Sequence, residues 1–176
     1  LQAWCRNKSL PLVGAIFPAL VVDGDFTNRG MLAIGFDAMP RHFLLDRLDA
    51  GERTTHSRIG AATRKAMAGS TTETKPSLFL IFDAMVPNIA SILDGAYREL
   101  RSEVRYAGVN AGSESFQPMP CLFDDAQLIG DGVLGLLLPG EPAIVEHGYP
   151  VAKTLMQATS ASGNRIELID RRPAME

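Results

Sequence analysis

The chain of 176 residues is 46% hydrophobic and carries a formal net charge of −3 at pH 7. This length fits one domain of ordinary size or a large piece of a longer protein, and the apolar fraction supports a sizeable core. Because charges of both signs are interspersed, we expect neither nucleic acid nor another polyanion as a partner. No stretch reaches the length of a membrane span, and neither Cys5 nor Cys121 lies in a metal-binding or disulfide pattern. A reducing compartment, the cytoplasm, is therefore expected.

Short apolar runs and turn residues alternate along the first part of the chain. Residues 1–9 have the character of a helix tail. Leu12–Phe17 predicts a buried strand that ends before Pro18, because proline cannot donate to a β-ladder. Val22–Asp25 has the chemistry of a turn, and the apolar run Gly30–Asp37 predicts a further strand.

The next stretch is less sharply patterned. Residues 42–45 fit a short strand and a helical turn equally well. Thr54–Ser57 offers capping residues, and the apolar positions that follow form a weak stripe, so we expect a helix here. The polar residues 70–75 then predict a loop.

The clearest pattern is a strand, a helix and a second strand within residues 77–109. Ser77–Phe82 is a short, continuously apolar run, which is typical of a strand covered on both faces. Pro87 and Asn88 start a helix whose apolar positions recur every three or four residues. Tyr106–Val109 predicts the second strand. A strand, helix and strand in succession indicate a βαβ unit with parallel strands.

Beyond this unit the pattern changes to antiparallel hairpins. Cys121–Phe123 and Val133–Leu138 predict two strands that pair across the polar residues between them. The remaining predicted strands are Ala143–Val145, Leu155–Ala158 and Arg165–Ile169, the last after a hairpin turn at Ser162–Asn164. The predicted fold class is therefore α/β to α+β, with a mixed central sheet whose βαβ unit is flanked by helices, followed by antiparallel hairpins.

Small and polar residues follow the second strand of the βαβ unit. Asn110, Gly112, Ser113 and Glu114 stand at what the pattern predicts to be the carboxyl end of an interior strand. Open α/β sheets place their ligands at such strand ends, and Gly112 lets the backbone turn sharply or approach a ligand closely. The spacing fits a plain turn as well.

A zwitterionic ligand needs few groups from such a turn. Backbone N–H groups or a hydroxyl hold its carboxylate, and an acidic side chain holds its ammonium group. Asn110, Gly112, Ser113 and Glu114 offer these groups, with Tyr149 as an apolar wall. The alternative is that Glu114 is a solvated charge on a loop.

His147 is the histidine that the sequence singles out, in the run Glu-His-Gly-Tyr. Its ring either hydrogen-bonds the carboxylate of a ligand or holds a turn through backbone carbonyls. His42 and His56 are predicted to be surface residues.

Catalytic and metal chemistry find little support in the motifs. A serine at Ser113 or Ser115, with Asp131 and His147, would supply the residue types of a hydrolase triad, but no Gly-x-Ser-x-Gly elbow presents either serine. No histidine pair has the spacing of a metal site, and the glycines match neither a dinucleotide fingerprint nor a P-loop. We therefore expect a non-catalytic protein without a protein-only metal site. A serine hydrolase is kept as the third interpretation, after the two that the family resemblance below implies.

Five stretches, taken in their order along the chain, resemble the amino-terminal half of the domain that defines one family. They are LVGAIFPALVVDGD from Leu12, YAGVNAGSE from Tyr106, the stretch Leu122–Leu138, HGYP from His147 and the end of the chain from Ala158. Together they are similar to the F-box and intracellular signal transduction family, the FIST domain. Its glycine-rich turn, His-Gly-aromatic turn and Gly-Asn hairpin have counterparts here in the same order, although Val109 replaces a glycine and Tyr149 replaces a tryptophan.

The resemblance implies one domain, 1–176, which lacks the first strand and helix of the family and its carboxyl-terminal partner domain. It also implies a small-molecule sensing domain of a bacterial signal transduction protein, which binds an amino acid or a similar compound without a cofactor. The implied partners are the carboxyl-terminal half of the same protein and a signalling partner such as a histidine kinase or a cyclic-nucleotide enzyme. The alternative within the family is a haem-binding gas sensor, with His147 as the first candidate axial ligand.

Overall fold

The computed structural model describes residues 1–48, 51–68, 74–115, 117–143, 155–162 and 165–175. The chain divides into two compact units, Leu1–Pro142 and Ala143–Glu176. The single-domain organisation that the resemblance implies stays a prediction.

Among its described residues, the larger unit has three helices: α1 (Gln2–Asn7), α2 (Glu52–Met67) and α3 (Ile89–Leu100). In α3 the predicted stripe is buried in part. Ile92, Ala96 and Leu100 are each at most 1% exposed, whereas Leu93 and Tyr97 of the same stripe are 38% and 61% exposed. The expected caps of α2 are wrong, because Thr54–Ser57 lies inside the helix. Thr55 is buried there, and its hydroxyl donates to the carbonyl of Leu48 at 2.9 Å.

A four-stranded mixed sheet forms the centre of the larger unit. Its strands, β4 (Arg41–Leu45), β5 (Ser77–Asp83), β6 (Arg105–Ala111) and β9 (Val133–Leu138), lie in the order β4-β9-β5-β6. β5 and β6 are parallel, with Ser77 opposite Arg105 and Asp83 opposite Ala111, so the βαβ unit is confirmed. β9 is antiparallel to both β4 and β5, so the carboxyl ends of β4, β5 and β6 share one end of the sheet.

Both faces of this sheet are covered. Alternate residues of β5, including Leu78 and Phe82, pack with α2 and α3 in one core cluster. Ile81 points to the other face and packs with Leu122 and Cys121 in a second cluster. This explains why β5 is a continuous apolar run: a strand between two covered faces has no water-facing side.

A small antiparallel sheet covers the second face. It contains β1 (Val13–Ala15), β7 (Leu122–Asp124) and β8 (Leu128–Ile129), in the order β1-β7-β8. The predicted pairing of Cys121–Phe123 with Val133–Leu138 is therefore wrong. β9 is apolar throughout, and its place in the central sheet gives it two covered faces, which pairing in an isolated hairpin would not.

Two further predictions for the amino-terminal part have different outcomes. The turn Val22–Asp25 is confirmed, since it joins β2 (Leu20–Val22) to β3 (Asp25–Thr27) in a hairpin. Gly30–Asp37 is not a strand, although its residues favour one. Met31, Leu32, Ile34 and Phe36 are each more than half exposed, and among the described residues no strand pairs with this segment.

In the smaller unit, the described residues form an antiparallel sheet. Its strands are β10 (Ala158–Ser162), β11 (Arg165–Ile169) and β12 (Arg172–Pro173). Ser162 pairs with Arg165, so the predicted hairpin is confirmed, while its turn residues 163 and 164 lie outside the described residues. Residues 155–157 are not a strand, and of the predicted strand Ala143–Val145 only its first residue is described, outside any strand.

Candidate functional site

The predicted site begins at the carboxyl end of β6, in the segment Asn110–Ser115, which we name the β6 turn. β6 continues to Ala111, so Asn110 lies within the strand. The side chains of Asn110 and Glu114 are exposed, whereas Ser113 is half-buried. The expectation of an interior strand is wrong, since β6 is the last strand of the central sheet among those described. One side of the β6 turn is therefore not flanked by any described strand.

Two backbone hydrogen bonds fix the base of the β6 turn. The N–H of Ala84, just after β5, donates to the carbonyl of Ala111 at 2.8 Å. The N–H of Gly112 donates to the carbonyl of Ile16, also at 2.8 Å. This second bond occupies the Gly112 donor, so that N–H does not remain for a ligand.

The glycines of this region serve the backbone. Gly112 is buried at φ 142°, a conformation that side chains disfavour, although a Cβ there would meet only Ala84, at 3.8 Å. At Gly108 the reason is different, because a Cβ would overlap the backbone carbonyl of Leu80 in β5. Glycine thus permits a sharp turn at one position and close strand contact at the other.

Hydroxyl groups organise the tip of the turn. The Oγ atoms of Ser113 and Ser115 lie 2.7 Å apart, and the N–H of Ser115 donates to the Ser113 Oγ at 3.1 Å. One hydroxyl donates to the other, so the second still has a proton to donate elsewhere. The carboxylate of Glu114, between the two serines, joins no ion pair with the described residues.

The other two predicted site residues, His147 and Tyr149, lie outside the described residues, so their roles stay predictions. The two described histidines have partners of their own. His42 Nδ1 lies 2.9 Å from the carbonyl oxygen of Pro40, and His56 Nδ1 lies 3.3 Å from a carboxylate oxygen of Glu99. Both rings are half-buried rather than fully on the surface as predicted.

Asp83 is a buried carboxylate at the carboxyl end of β5, and sequence reasoning did not single it out. Its side chain accepts the N–H of Met85 at 2.9 Å and the N–H of Asp131 at 2.7 Å. Only 3% of Asp83 is exposed. The available signal was an aspartate that closes a fully apolar strand, since a charge at such a position needs buried donors.

Cys121 adjoins this carboxylate. Burial, with a further contribution from the charge and hydrogen bonding of Asp83, raises the pKa of the Cys121 thiol to about 12. The thiol therefore stays protonated at neutral pH, which makes it a poor nucleophile. Asp83 and Cys121 together close the end of β5.

Two further observations limit the chemistry of the described part of the chain. No set of three or more His, Cys, Asp and Glu side chains there is grouped so that it could hold a metal ion. In the same residues, no helix has the length and apolar character needed to cross a membrane.

Two concavities occur away from the β6 turn. One, of about 720 Å³, lies between β4 and α2, and the other, of about 420 Å³, lies near Met67 and Pro139. Neither is lined by Asn110, Gly112, Ser113 or Glu114. The β6 turn is thus an exposed polar corner rather than part of either concavity.

Helices on one face of a mixed sheet, and a small antiparallel sheet on the other, define a layered α/β domain. The model of the FIST N domain family matches residues 3–172, nearly the whole chain, so the chain belongs to this family. FIST domains are sensory domains of signal transduction. The resemblance that the ordered motifs indicated is confirmed. Among curated proteins and among solved structures, no match was found.

Proposed function

We propose that this chain is a ligand-sensing domain of a bacterial signal transduction protein and binds an amino acid or a similar small molecule at the β6 turn. Two observations support the proposal. The chain belongs to a sensory family. The β6 turn also presents a carboxamide, two hydroxyls and a carboxylate close together in sequence, on a backbone that hydrogen bonds fix at its base. The fixed base carries the most weight, because a preorganised site loses less entropy when a ligand binds.

Each polar group has a role in holding a zwitterion. The Glu114 carboxylate pairs with the ammonium group of the ligand, because it is exposed and has no described cation of its own. The serine hydroxyls and the Asn110 carboxamide donate to the ligand's carboxylate. Gly112 shapes the turn rather than contacting the ligand. His147 as a hydrogen-bonding side chain and Tyr149 as an apolar wall lie outside the described residues, and their part in ligand binding stays a prediction from the sequence.

Sensing requires that the ligand favour one arrangement of the domain over another, through contacts that differ between the two arrangements. The β6 turn is bonded both to the residue after β5 and to Ile16, which follows β1. A displacement of the turn would therefore strain its hydrogen bonds to both the central sheet and the small sheet. The proposed recipients of that shift are the carboxyl-terminal half of the protein and a cytoplasmic partner such as a histidine kinase or a cyclic-nucleotide enzyme.

Thermal unfolding in the presence of each common amino acid tests the proposal. A ligand that binds only the native state raises the unfolding midpoint, and at a concentration of 100 Kd it stabilises by about 2.7 kcal/mol. Asn110→Ala should abolish the rise for the amino acid that binds, whereas Asn28→Ala, at an exposed position in the loop after β3, should leave it unchanged. A panel without any midpoint shift, or a shift that Asn110→Ala leaves intact, would contradict the proposal.

Two further measurements separate the alternative functions. A Soret band after purification with iron supplied, lost in His147→Ala, would assign the chain to haem-binding gas sensors. Labelling by a fluorophosphonate probe, lost in Ser113→Ala, would indicate a serine hydrolase. The sensing proposal expects neither signal.

A further inference from the structure

A groove runs along the opposite edge of the central sheet from the β6 turn. β4 is the last strand on that side among the described strands, so its outer backbone groups have no described strand to pair with. The groove, of about 720 Å³, lies between this strand and α2. Its lining residues are Met39, Pro40, Arg41, His42, Phe43, Leu45, Ala62, Lys65 and Ala66. Five of them, 39–43, are consecutive, so the groove follows the direction of the strand.

The sequence explains why the groove is open and apolar. On the helix side, Ala62 and Ala66 have side chains too short to fill the space beside β4. On the strand side, Phe43 and Leu45 pack against the core that α2 covers, and they form an apolar base. A guanidinium nitrogen of Arg41 donates to the carbonyl of Ala66 at 3.0 Å and also to that of Ala68, which joins the end of α2 to β4. The two walls are therefore held at a fixed spacing.

Among the described lining residues of the groove, the charged side chains are those of Arg41 and Lys65, and both are positive. Lys65 is exposed and joins no ion pair with the described residues. The chain as a whole has a formal net charge of −3 at pH 7, so the sign of this region is opposite to that of the whole chain. An occupant with acidic groups complements it.

We propose that this groove binds an extended peptide segment of a partner protein, which joins the central sheet as an additional strand beside β4. An open strand edge with a helix alongside is the geometry in which peptides add to sheets: the backbone supplies hydrogen bonds and the groove receives alternate side chains. The preferred segment has apolar residues at alternate positions, which lie on Phe43 and between Ala62 and Ala66, and acidic residues that pair with Lys65. This interaction surface is separate from the small-molecule site at the β6 turn.

A library of eight-residue peptides tests the inference, with Val, Ile, Leu or Phe at alternate positions and Asp or Glu between them. We expect saturable binding to the full chain, measured by fluorescence anisotropy of the labelled peptides. A strand added to an edge directs every second N–H toward its neighbour. N-methylation of one alternate set of residues in the best peptide should therefore abolish binding, while N-methylation of the other set should have little effect.

Matched variants locate the binding. Ala62→Leu should fill the groove and weaken binding at least about tenfold, a cost of about 1.4 kcal/mol. Ala61→Leu, one residue away and outside the groove lining, should leave binding unchanged. Lys65→Glu should lower the affinity for the acidic peptide and raise the affinity for a peptide with lysine in place of its acidic residues. Lys8→Glu should change neither affinity. Circular dichroism of each variant establishes that it is folded.

Several outcomes would overturn the inference. The first is an absence of saturable binding at millimolar peptide, and the second is binding that both N-methylated sets retain. Equal affinity in Ala62→Leu would place the peptide elsewhere. Octanoate that binds the groove where the peptides do not would assign it to small carboxylates. A dimer in sedimentation that Ala62→Leu dissociates would assign it to a second copy of the chain.

Discussion

The carboxyl ends of the parallel strands β5 and β6 lie side by side, but the polar residue at the end of β5 is buried, whereas those at the end of β6 are exposed. At the end of β5, the carboxylate of Asp83 is 3% exposed and accepts two backbone N–H groups. At the end of β6, Asn110 and Glu114 are exposed. The register places Asp83 directly opposite Ala111, so both ends belong to one corner of the sheet.

The difference shows which polar groups remain for a ligand. A buried carboxylate must be satisfied by the protein itself, because leaving it without hydrogen bonds is costly. Asp83 therefore joins the end of β5 to the loop before β9, where it accepts the N–H of Asp131. An exposed group is satisfied by water, which a ligand can replace. The β5 end is thus structural, and the β6 turn is the end at which we propose that a ligand binds.

The largest expected difference between the two strand ends is in the rate at which a thiol at each end reacts with an alkylating reagent. Raising the pKa of Cys121 from 9.0 to about 12 lowers its thiolate fraction at pH 8 by about a thousandfold. In a Cys5→Ser background, iodoacetamide should therefore label Cys121 at least that much more slowly than it labels Ser115→Cys in a chain without other cysteines. The Cys121 rate should still rise about tenfold for each pH unit between 8 and 10. A rate that levels off near pH 9 would mean that the thiol ionises normally.

Removing the buried carboxylate should cost more stability than any change at the exposed turn. Asp83→Ala leaves the N–H groups of Met85 and Asp131 without their acceptor, and we expect the free energy of unfolding to fall by about 3 kcal/mol. Asp83→Asn keeps one oxygen and should lose less. The control is Asp94→Ala on the exposed side of α3, and urea unfolding measures all three. Equal losses for Asp83→Ala and Asp94→Ala would show that the buried carboxylate has no structural role.

Close contact between β5 and β6 should make Gly108 sensitive to a single added methyl group. A Cβ at this position would overlap the carbonyl of Leu80, so Gly108→Ala should force the strands apart and destabilise by about 2 kcal/mol. Gly35→Ala is the matched control, because a Cβ there meets nothing within 4 Å and φ is ordinary. Urea unfolding compares the two variants. If both lose less than about 0.5 kcal/mol, the strands are free to adjust and the contact is not tight.

The sequence predicted the elements whose signal is local. Ser77–Phe82 is apolar without alternation, and α3 repeats its apolar residues with helical spacing, so both were found and their order indicated parallel pairing. The second strand was found too, but its predicted end at Val109 is two residues early, because β6 continues to Ala111. The family resemblance came from the order of several weak motifs, which the match over residues 3–172 confirms.

The failures concern pairing between distant parts of the chain. A strand at the edge and a strand in the interior differ by their neighbours, and the seven residues of β6 do not encode that β9 enters the sheet on the far side of β5. Likewise, Gly30–Asp37 has the residues of a strand but no described partner. Asp83 is the last residue of β5, and its buried carboxylate is satisfied by the N–H groups of Met85 and of Asp131, which is distant in sequence. Tertiary context, which propensity does not contain, decided each case.

Glu114→Gln should have the smallest effect on stability and the clearest effect on ligand binding. Its carboxylate is exposed and has no described ion-pair partner, so we expect the free energy of unfolding to change by less than about 0.5 kcal/mol. Loss of the charge should nevertheless lower the affinity for a zwitterionic ligand about tenfold, because the hydrogen bond from the ligand's ammonium group would then go to a neutral amide instead of a carboxylate. Asp125→Asn, an exposed acid in the loop after β7, is the control, and calorimetric titration measures both variants. Unchanged affinity in Glu114→Gln, together with lost affinity in Asn110→Ala, would mean that the ligand is an anion without an ammonium group, held by donors alone.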